Sequence, residues 1–403
     1  MVTIQYNPWT PEAKADPYPM YKQLREENPI QRSELLDGWV LTRYDDVVAV
    51  LKHPRFSADR RKGRNRFVEA AMAARAEMGP VANAQTMLSS DPPEHTRLRS
   101  LVSKAFTPKM VDGMRVHIQE LVDGLLDEVH SSGRMDLIED LAYPLPVIVI
   151  AEMLGVPPEE RDTFKRWSDD LVANMGLPGT VPDELVKRAQ TSSIEMADYF
   201  HNRIEERRKE PREDLLSALV AAEERGEVLS EEEVLATCIL LLAAGNETTT
   251  NLIGNGMLAL LRNPDQQQKL RDNPSLVETA VEEFLRYDGP VQATARIAET
   301  EIEVGGQKME EGQLALCLIG AADRDPAQFP NPDELDIARQ PNQHIAFGQG
   351  IHYCIGAPLA RMEGQIVFET LLRRMPNLRL DTEEPEWGGN FILRGLKRLP
   401  IAF

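Results

Sequence analysis

Phe347-Gly348-Gln349-Gly350-Ile351-His352-Tyr353-Cys354-Ile355-Gly356 sets one cysteine in a glycine-studded loop. A predicted helix follows at once, opening on Ala357-Pro358-Leu359-Ala360-Arg361. Proline suits a first helical turn, where its missing N–H costs nothing. A helix N-terminus carries partial positive charge and free N–H donors. Both stabilise a thiolate, the form of cysteine that binds metal. Glycines permit left-handed backbone angles and let a flat ligand come close. On the loop alone two readings stand: a thiolate aimed at a cofactor, or an ordinary turn with a cysteine packed as a small hydrophobe.

The other two cysteines sharpen the choice. Cys238 falls in a strongly apolar helical stretch and Cys317 in the run Leu314 to Ile319. Both read as packed core thiols. Three cysteines far apart do not make a disulfide framework, and a reducing compartment is the simpler setting.

Upstream, Ser230 and Glu233 have the spacing of a capping box. The helix they open runs to Arg262, before Asn263-Pro264, about 48 Å at 1.5 Å per residue. Its middle is apolar on every side, which predicts burial. Into that burial the chain places Ala244-Gly245-Asn246-Glu247-Thr248-Thr249. Buried polar groups need hydrogen-bond partners, and a helical threonine can turn back to the carbonyl four residues earlier. The cluster therefore predicts a local opening of the helical ladder at Thr248. Taken alone it also reads as a polar kink in a core helix.

Three further patterns are sited on predicted helices and a strand. His95 and Arg99 are four apart, so they share a helix face that can clamp carboxylates, with Asp91 as its expected cap. Glu283 and Arg286 are an i,i+3 pair in a helix from Ser275 to Tyr287. Arg296 follows Pro290-Val291 in a predicted strand. Each alone reads more readily as an ordinary solvated charge or surface pair; only their joint positions raise them.

The chain has 403 residues, 42% hydrophobic and 27% charged, with net charge −20. That balance fits a soluble globule and argues against general nucleic-acid binding. The longest apolar run, from Cys238 to Gly245, is too short for a bilayer, which needs about 20 residues. Helix is expected at Tyr18–Glu27 and Asp45–Lys52, with a strand at Trp39–Thr42. The middle, from about 92 to 287, is helical in pattern. Strands return from Thr294 to Ile319, with a hairpin turn at Val304-Gly305-Gly306-Gln307, and again from Phe391. The fold class is therefore mainly α with a small β-sheet region (α+β), as one interlocked domain over 1–403. The basic run Arg60, Arg61, Lys62, Arg64 and Arg66 is expected to be a solvated, mobile loop.

The cysteine loop, the Ala-Gly-x-acid-Thr cluster and the Glu-x-x-Arg pair, in this order along the chain, resemble the cytochromes P-450 of the soluble bacterial type. The resemblance implies a haem-thiolate monooxygenase with haem b, in which Cys354 is the axial ligand. It places Ala244, Gly245, Phe347, Gly348 and Gly356 against the cofactor. His95, Arg99, Arg296 and His352 match the positions that hold its propionates. Thr248 would hydrogen-bond dioxygen, the co-substrate, and Glu247 would relay protons. Glu283 and Arg286 would brace the cysteine loop. Relatives often place an arginine where this chain has Glu334, so Arg339 is the candidate third member.

Electrons must come from outside, because no flavin or iron–sulfur motif is present. The resemblance implies a ferredoxin or flavodoxin with its reductase, fed by NAD(P)H, and a hydrophobic small-molecule substrate. It also implies a cytoplasmic monomer with no membrane or nucleic-acid partner. Substrate lining is expected from the 60–90 loop, the 165–185 region, Leu240 to Ala244, Val291 to Ala295 and residues near Ile392. The basic run borders the substrate entrance in relatives and could attract an acidic substrate or carrier. A peroxide-driven peroxygenase and a non-catalytic haem sensor are the rival functions; Glu247 and Thr248 speak against both.

Overall fold

The computed structural model describes residues 6–65, 68, 84–173, 181–224, 226–382, 384–388 and 390–403. Arg66, most of the 60–90 loop and residues 174–180 of the 165–185 region lie outside the described residues. The chain forms two compact units. One gathers residues up to Phe56, Met114–Leu145 and Thr248–Phe403; the other gathers Ser57–Gly113 and Pro146–Glu247.

In the first unit the strands Ile30–Ser33, Gly38–Leu41, Leu314–Leu318 and Ala293–Ala298 lie side by side in that spatial order. Leu314–Leu318 runs parallel to Gly38–Leu41 and antiparallel to Ala293–Ala298, with Ala315 opposite Arg296 and Cys317 opposite Thr294. One face of this sheet buries Ile30, Leu41, Ala315 and Cys317 against Val47, Val50 and Leu51 of the helix Tyr44–Lys52. Gly305 and Gly306, at φ +54° and +81°, turn the short hairpin Ile302–Val304/Gln307–Met309. Two positive φ values in a row are what a tight hairpin turn demands, and glycine meets them without strain. After Phe391 the chain makes a bridge at Leu393 and the strands Leu396–Arg398 and Pro400–Ala402, as expected, with the short strands Arg379–Leu380 and Glu386–Trp387 before it.

The helices Val277–Tyr287 and Ala357–Arg374 pack here with the end of the helix Glu231–Arg262. Phe284 and Phe368 pack with ring planes tilted by 50° and centroids 4.7 Å apart. They do so over Gly256, where an added Cβ would come within 2.7 Å of the Phe368 ring and 3.0 Å of the Phe284 ring. Gly364 similarly admits Leu252 and Val281 at 3.4–3.5 Å.

The second unit is largely helical: Glu94–Ala105, Arg161–Ala173, Asp183–Lys209, Leu215–Val220 and the start of the helix Glu231–Arg262. Its core holds an aromatic cluster in which Phe164 lies 4.9 Å from Trp167, 5.0 Å from Tyr199 and 5.7 Å from Phe200. Arg207, fully buried, pairs with Asp214 at 2.7 Å.

The helix Glu231–Arg262 has the expected length and cap. Ser230 N–H donates to Glu233 at 2.9 Å, and Glu233 N–H donates to Ser230 Oγ at 3.2 Å. The expected opening at Thr248 is corrected: the helix is continuous from end to end. Two of its polar residues bond other elements. Asn246 donates to Ser168 Oγ at 2.8 Å, and Thr250 donates to the Ala142 carbonyl at 3.0 Å.

Asp91 is not the cap expected for the His95 helix, which begins at Glu94 after Pro92 and Pro93. The Asp91 carboxylate is already engaged by the Ser57 hydroxyl, by Ala58 N–H at 2.9 Å and by Lys62 at 2.8 Å. Lys62 ends a short 3₁₀ turn, Arg60–Lys62, whose Arg61 pairs with Asp59. The described members of the basic run are solvent-exposed, as expected, but Arg60–Lys62 form a 3₁₀ turn tied to Asp59 and Asp91.

Candidate functional site

The cysteine loop takes the form its glycines suggest. Gly348 and Gly350 have φ of +73° and +71°, angles that L side chains rarely adopt. At Gly350 an added Cβ would also sit 3.0 Å from the Leu51 carbonyl oxygen. Cys354 N–H donates to the Phe347 carbonyl at 3.0 Å, closing the loop across its neck. Two residues on, Gly356 leads into the helix Ala357–Arg374, and a Cβ there would contact Cys354 Sγ at 3.8 Å.

The three thiols are not alike. Cys238 and Cys317 are fully buried, whereas Cys354 is exposed. Burial raises the Cys238 thiol well above its ordinary range and pushes Cys317 up to about 12. Neither can supply a thiolate near neutral pH. The residues at Cys354 fit an axial thiolate: an accessible sulfur, a helix start beside it and a loop kept free of side chains at positions 348, 350 and 356. Among the described residues no group of three or more His, Cys, Asp or Glu side chains could hold a metal ion by itself.

A buried ionic network stands behind the loop. Arg286 Nε and Nη2 each donate to Glu283 at 2.8 Å, and both side chains are fully buried. Arg339 Nε bridges the same carboxylate at 3.0 and 3.1 Å. Asn342 and the Asp336 N–H add bonds of 3.1 and 3.0 Å. The arginines spend their remaining donors on main-chain oxygens. Arg286 reaches the carbonyls of Asp323, Pro332 and Glu334, and Arg339 those of Pro330, Asn331 and Glu334. Glu334 itself contributes only its backbone carbonyl to this network, so Arg339 is the third charged member. One carboxylate thereby ties a helix to the irregular segment 323–342 that leads into the cysteine loop.

The remaining sequence-derived residues are distributed as follows. Thr248, Arg296, Phe347, Gly348, His352, Cys354 and Gly356 belong to the first unit; His95, Arg99, Ala244, Gly245 and Glu247 belong to the second. Arg296 is buried in its strand and donates to the Ala295 carbonyl at 2.9 Å. His352 ends a 3₁₀ turn inside the cysteine loop. His95 is buried, and Arg99 lies one turn on, along the same helix face.

Two acidic residues escaped the sequence reading. Glu363 is buried on the helix that follows the loop, accepts a hydrogen bond from Thr249, and is pushed up to about 8 by burial. Asp323 accepts the Ile345 N–H at 2.8 Å and is pushed up to about 7, again chiefly by burial. Nothing in composition separates these from surface carboxylates; for Glu363 the only sequence signal is its place on the apolar face with Leu359, Ile366 and Val367.

An accessible cysteine in a glycine loop, on a mainly helical fold with a mixed sheet, is the arrangement expected of a haem-thiolate protein. The Cytochrome P450 family model matches residues 39–386. Cytochrome P450 CYP107DY1 of Priestia megaterium is 44% identical over 98% of both chains. Cytochrome P450 monooxygenase PikC of Streptomyces venezuelae is 45% identical over 96% of this chain and 91% of its own. The structure of P450BioI with a fatty-acid-ligated acyl carrier protein superposes with TM-score 0.88, at 40% identity over 96% of this chain and 98% of that one. The chain belongs to the cytochrome P450 family. It is a monooxygenase of the bacterial branch that uses haem b and dioxygen, with electrons supplied through redox partners. No helix among the described residues is long and apolar enough to cross a membrane.

Proposed function

We propose that this protein inserts one oxygen atom from dioxygen into a hydrophobic small molecule, by hydroxylation or epoxidation. A ferredoxin or flavodoxin, reduced in turn by a nicotinamide-dependent reductase, would serve as electron donor. The observation that carries the reading is the contrast among the thiols: Cys354 alone is exposed, in a glycine loop at a helix start. Cys354 would be the axial ligand, with Phe347, Gly348 and Gly356 forming the wall beside it. Arg296 and His352, and His95 and Arg99, are assigned to the propionates. A thiolate-ligated haem, when bound, supplies the oxygen-activating chemistry, because the sulfur pushes electron density onto iron.

The protein's own part is positioning and proton delivery. Thr248 would hold a hydroxyl at the oxygen site, and Glu247, one residue earlier on the same helix beside Ala244 and Gly245, would pass protons inward. General acid–base help of this kind is worth roughly 10²–10⁴ in rate. The loop is preset by its own backbone angles, so ligand geometry costs little reorganisation.

The carrier reading of the basic run loses weight. Arg61 and Lys62 are held by Asp59 and Asp91, so their charge is largely answered within the chain. A free hydrophobic substrate is therefore preferred to one presented on an acidic carrier protein.

The test is turnover of a hydrophobic compound panel with ferredoxin, reductase and NADPH under isotopically labelled dioxygen. Substrate-dependent NADPH consumption with one labelled oxygen in the product is expected. Turnover with peroxide but not with the reductase chain would establish a peroxygenase instead. Haem binding without turnover in either assay would establish a sensor.

A further inference from the structure

Beside the Glu283 network lies a second carboxylate–guanidinium pair, one residue away in sequence and aimed at the loop itself. Glu282, on the helix Val277–Tyr287, receives Arg361 Nε at 2.7 Å and Nη2 at 2.8 Å. Arg361 is on the helix Ala357–Arg374, which starts just after the loop. The bond is bidentate, the geometry that fixes a guanidinium plane rather than merely attracting its charge.

That plane is used on three sides. Its face stacks over the Phe347 ring, 4.5 Å from the centroid. Its free edge, Nη1, donates to the Tyr353 hydroxyl at 3.1 Å. Its other edge is the one held by Glu282. Phe347 and Tyr353 approach each other at 6.2 Å in a tilted edge arrangement. Phe347 is also the residue whose carbonyl accepts the Cys354 N–H, and Tyr353 is the residue before the cysteine.

His344 completes the support. Its Nδ1 accepts the Ala346 N–H at 3.2 Å, which leaves Nε2 as the protonated nitrogen facing Glu282 Oε2 at 3.1 Å. Burial alone would raise the Glu282 carboxyl, but Arg361 and His344 outweigh it and bring it down to about 2. The pair is charged near neutral pH.

We propose that Glu282, through Arg361, is a positioning residue for the cysteine loop: it clamps Phe347, whose carbonyl accepts the Cys354 N–H, and Tyr353, the residue before the cysteine, and so holds the sulfur in its ligating geometry. This rests on Cys354 being the haem ligand. It differs in kind from the Glu283 network, which ties helix to main chain and touches no side chain of the loop. Losing the clamp lets the loop relax and the sulfur take up a proton, without unfolding the helices on which Glu282 and Arg361 sit.

The experiment compares wild type, Glu282→Gln, Arg361→Gln and the double variant as haem-loaded proteins. The reduced carbon monoxide complex is held under mild heat, and the thiolate-type Soret band is followed as it converts to the thiol-type band. Helix melting is recorded in parallel by circular dichroism. Each single variant should convert roughly tenfold faster, the effect of losing one charge-assisted bond pair. The double variant should be no faster than the worse single one, because both changes break one clamp. Helix melting should move little. Conversion rates within twofold of wild type, additive effects in the double variant, or acceleration matched by an equal loss of helix stability would each overturn the proposal.

If Glu282→Gln does not take up haem, Tyr353→Phe decides. It removes only the hydroxyl that Arg361 holds and should accelerate conversion severalfold; an unchanged rate counts against the clamp. Absence of the thiolate-type band in wild type would instead remove the haem-ligand reading, so the two failures are distinct.

Discussion

Among the three thiols, Cys354 alone is exposed; the other two are sealed in the core with their protons held tightly. Replacing Cys354 by alanine should therefore abolish the thiolate-type carbonyl Soret band while leaving helix content intact. An unchanged band with haem still bound would refute the ligand assignment. Thr248→Ala should keep haem and the band but divert electrons to peroxide and water. The ratio of product formed to NADPH consumed should fall severalfold, and a fully coupled variant would count against the relay. The form of the cysteine loop was legible in the sequence because the loop needs glycines for its positive φ angles. Glu363 and Glu282 were not legible. Their significance lies in which buried or half-buried partners face them, and chain spacing says nothing of a contact between residues 79 apart, as Glu282 and Arg361 are.

Elements were read best where a local rule has a unique physical solution. The capping box at Ser230 and Glu233 and the paired glycines at 305 and 306 form the predicted structures, because each satisfies its own backbone locally. Reading failed where tertiary partners outbid a local one: Asp91 gives its carboxylate to Ser57, Ala58 and Lys62 instead of to its helix, and Asn246 and Thr250 bond neighbouring elements instead of loosening their own. The Glu283 network shows the same logic at larger stake. Its carboxylate is fully buried and serves Arg286, Arg339, Asn342 and a main-chain N–H. Removing it strands two buried or nearly buried guanidinium groups, a loss of about 3–5 kcal/mol for one broken buried pair. Glu283→Ala should accumulate largely as unfolded or haem-free protein, read by the ratio of Soret to protein absorbance; a wild-type ratio would mean the network is dispensable.

For the molecule as a whole, pH acts through opposed groups. Glu363 and Asp323 have carboxyls raised to about 8 and about 7, so the folded state holds their protons more tightly than the unfolded chain does. Their contribution is complete below the ordinary carboxylate range, near pH 4, and is lost as pH rises through 7 and 8. Glu282, lowered to about 2, works the other way: its contribution is present above about pH 4.5 and is lost as pH falls towards 2. Together they favour the folded state most at mildly acidic pH. That is also where a chain of net charge −20 and isoelectric point near 4.9 loses the repulsion that keeps it dispersed. Working pH is thus a compromise between stability and solubility. The Glu363 share can be isolated, because glutamine keeps its shape and its bond to Thr249 but cannot ionise. Relative to wild type, Glu363→Gln should gain progressively from about pH 4.5 and level off above about pH 8, at about 1.4 kcal/mol per pH unit in between. Thermal melts of the two proteins across that range measure the gap directly. A gap independent of pH would mean that Glu363 is not the proton-holding group that its burial makes it.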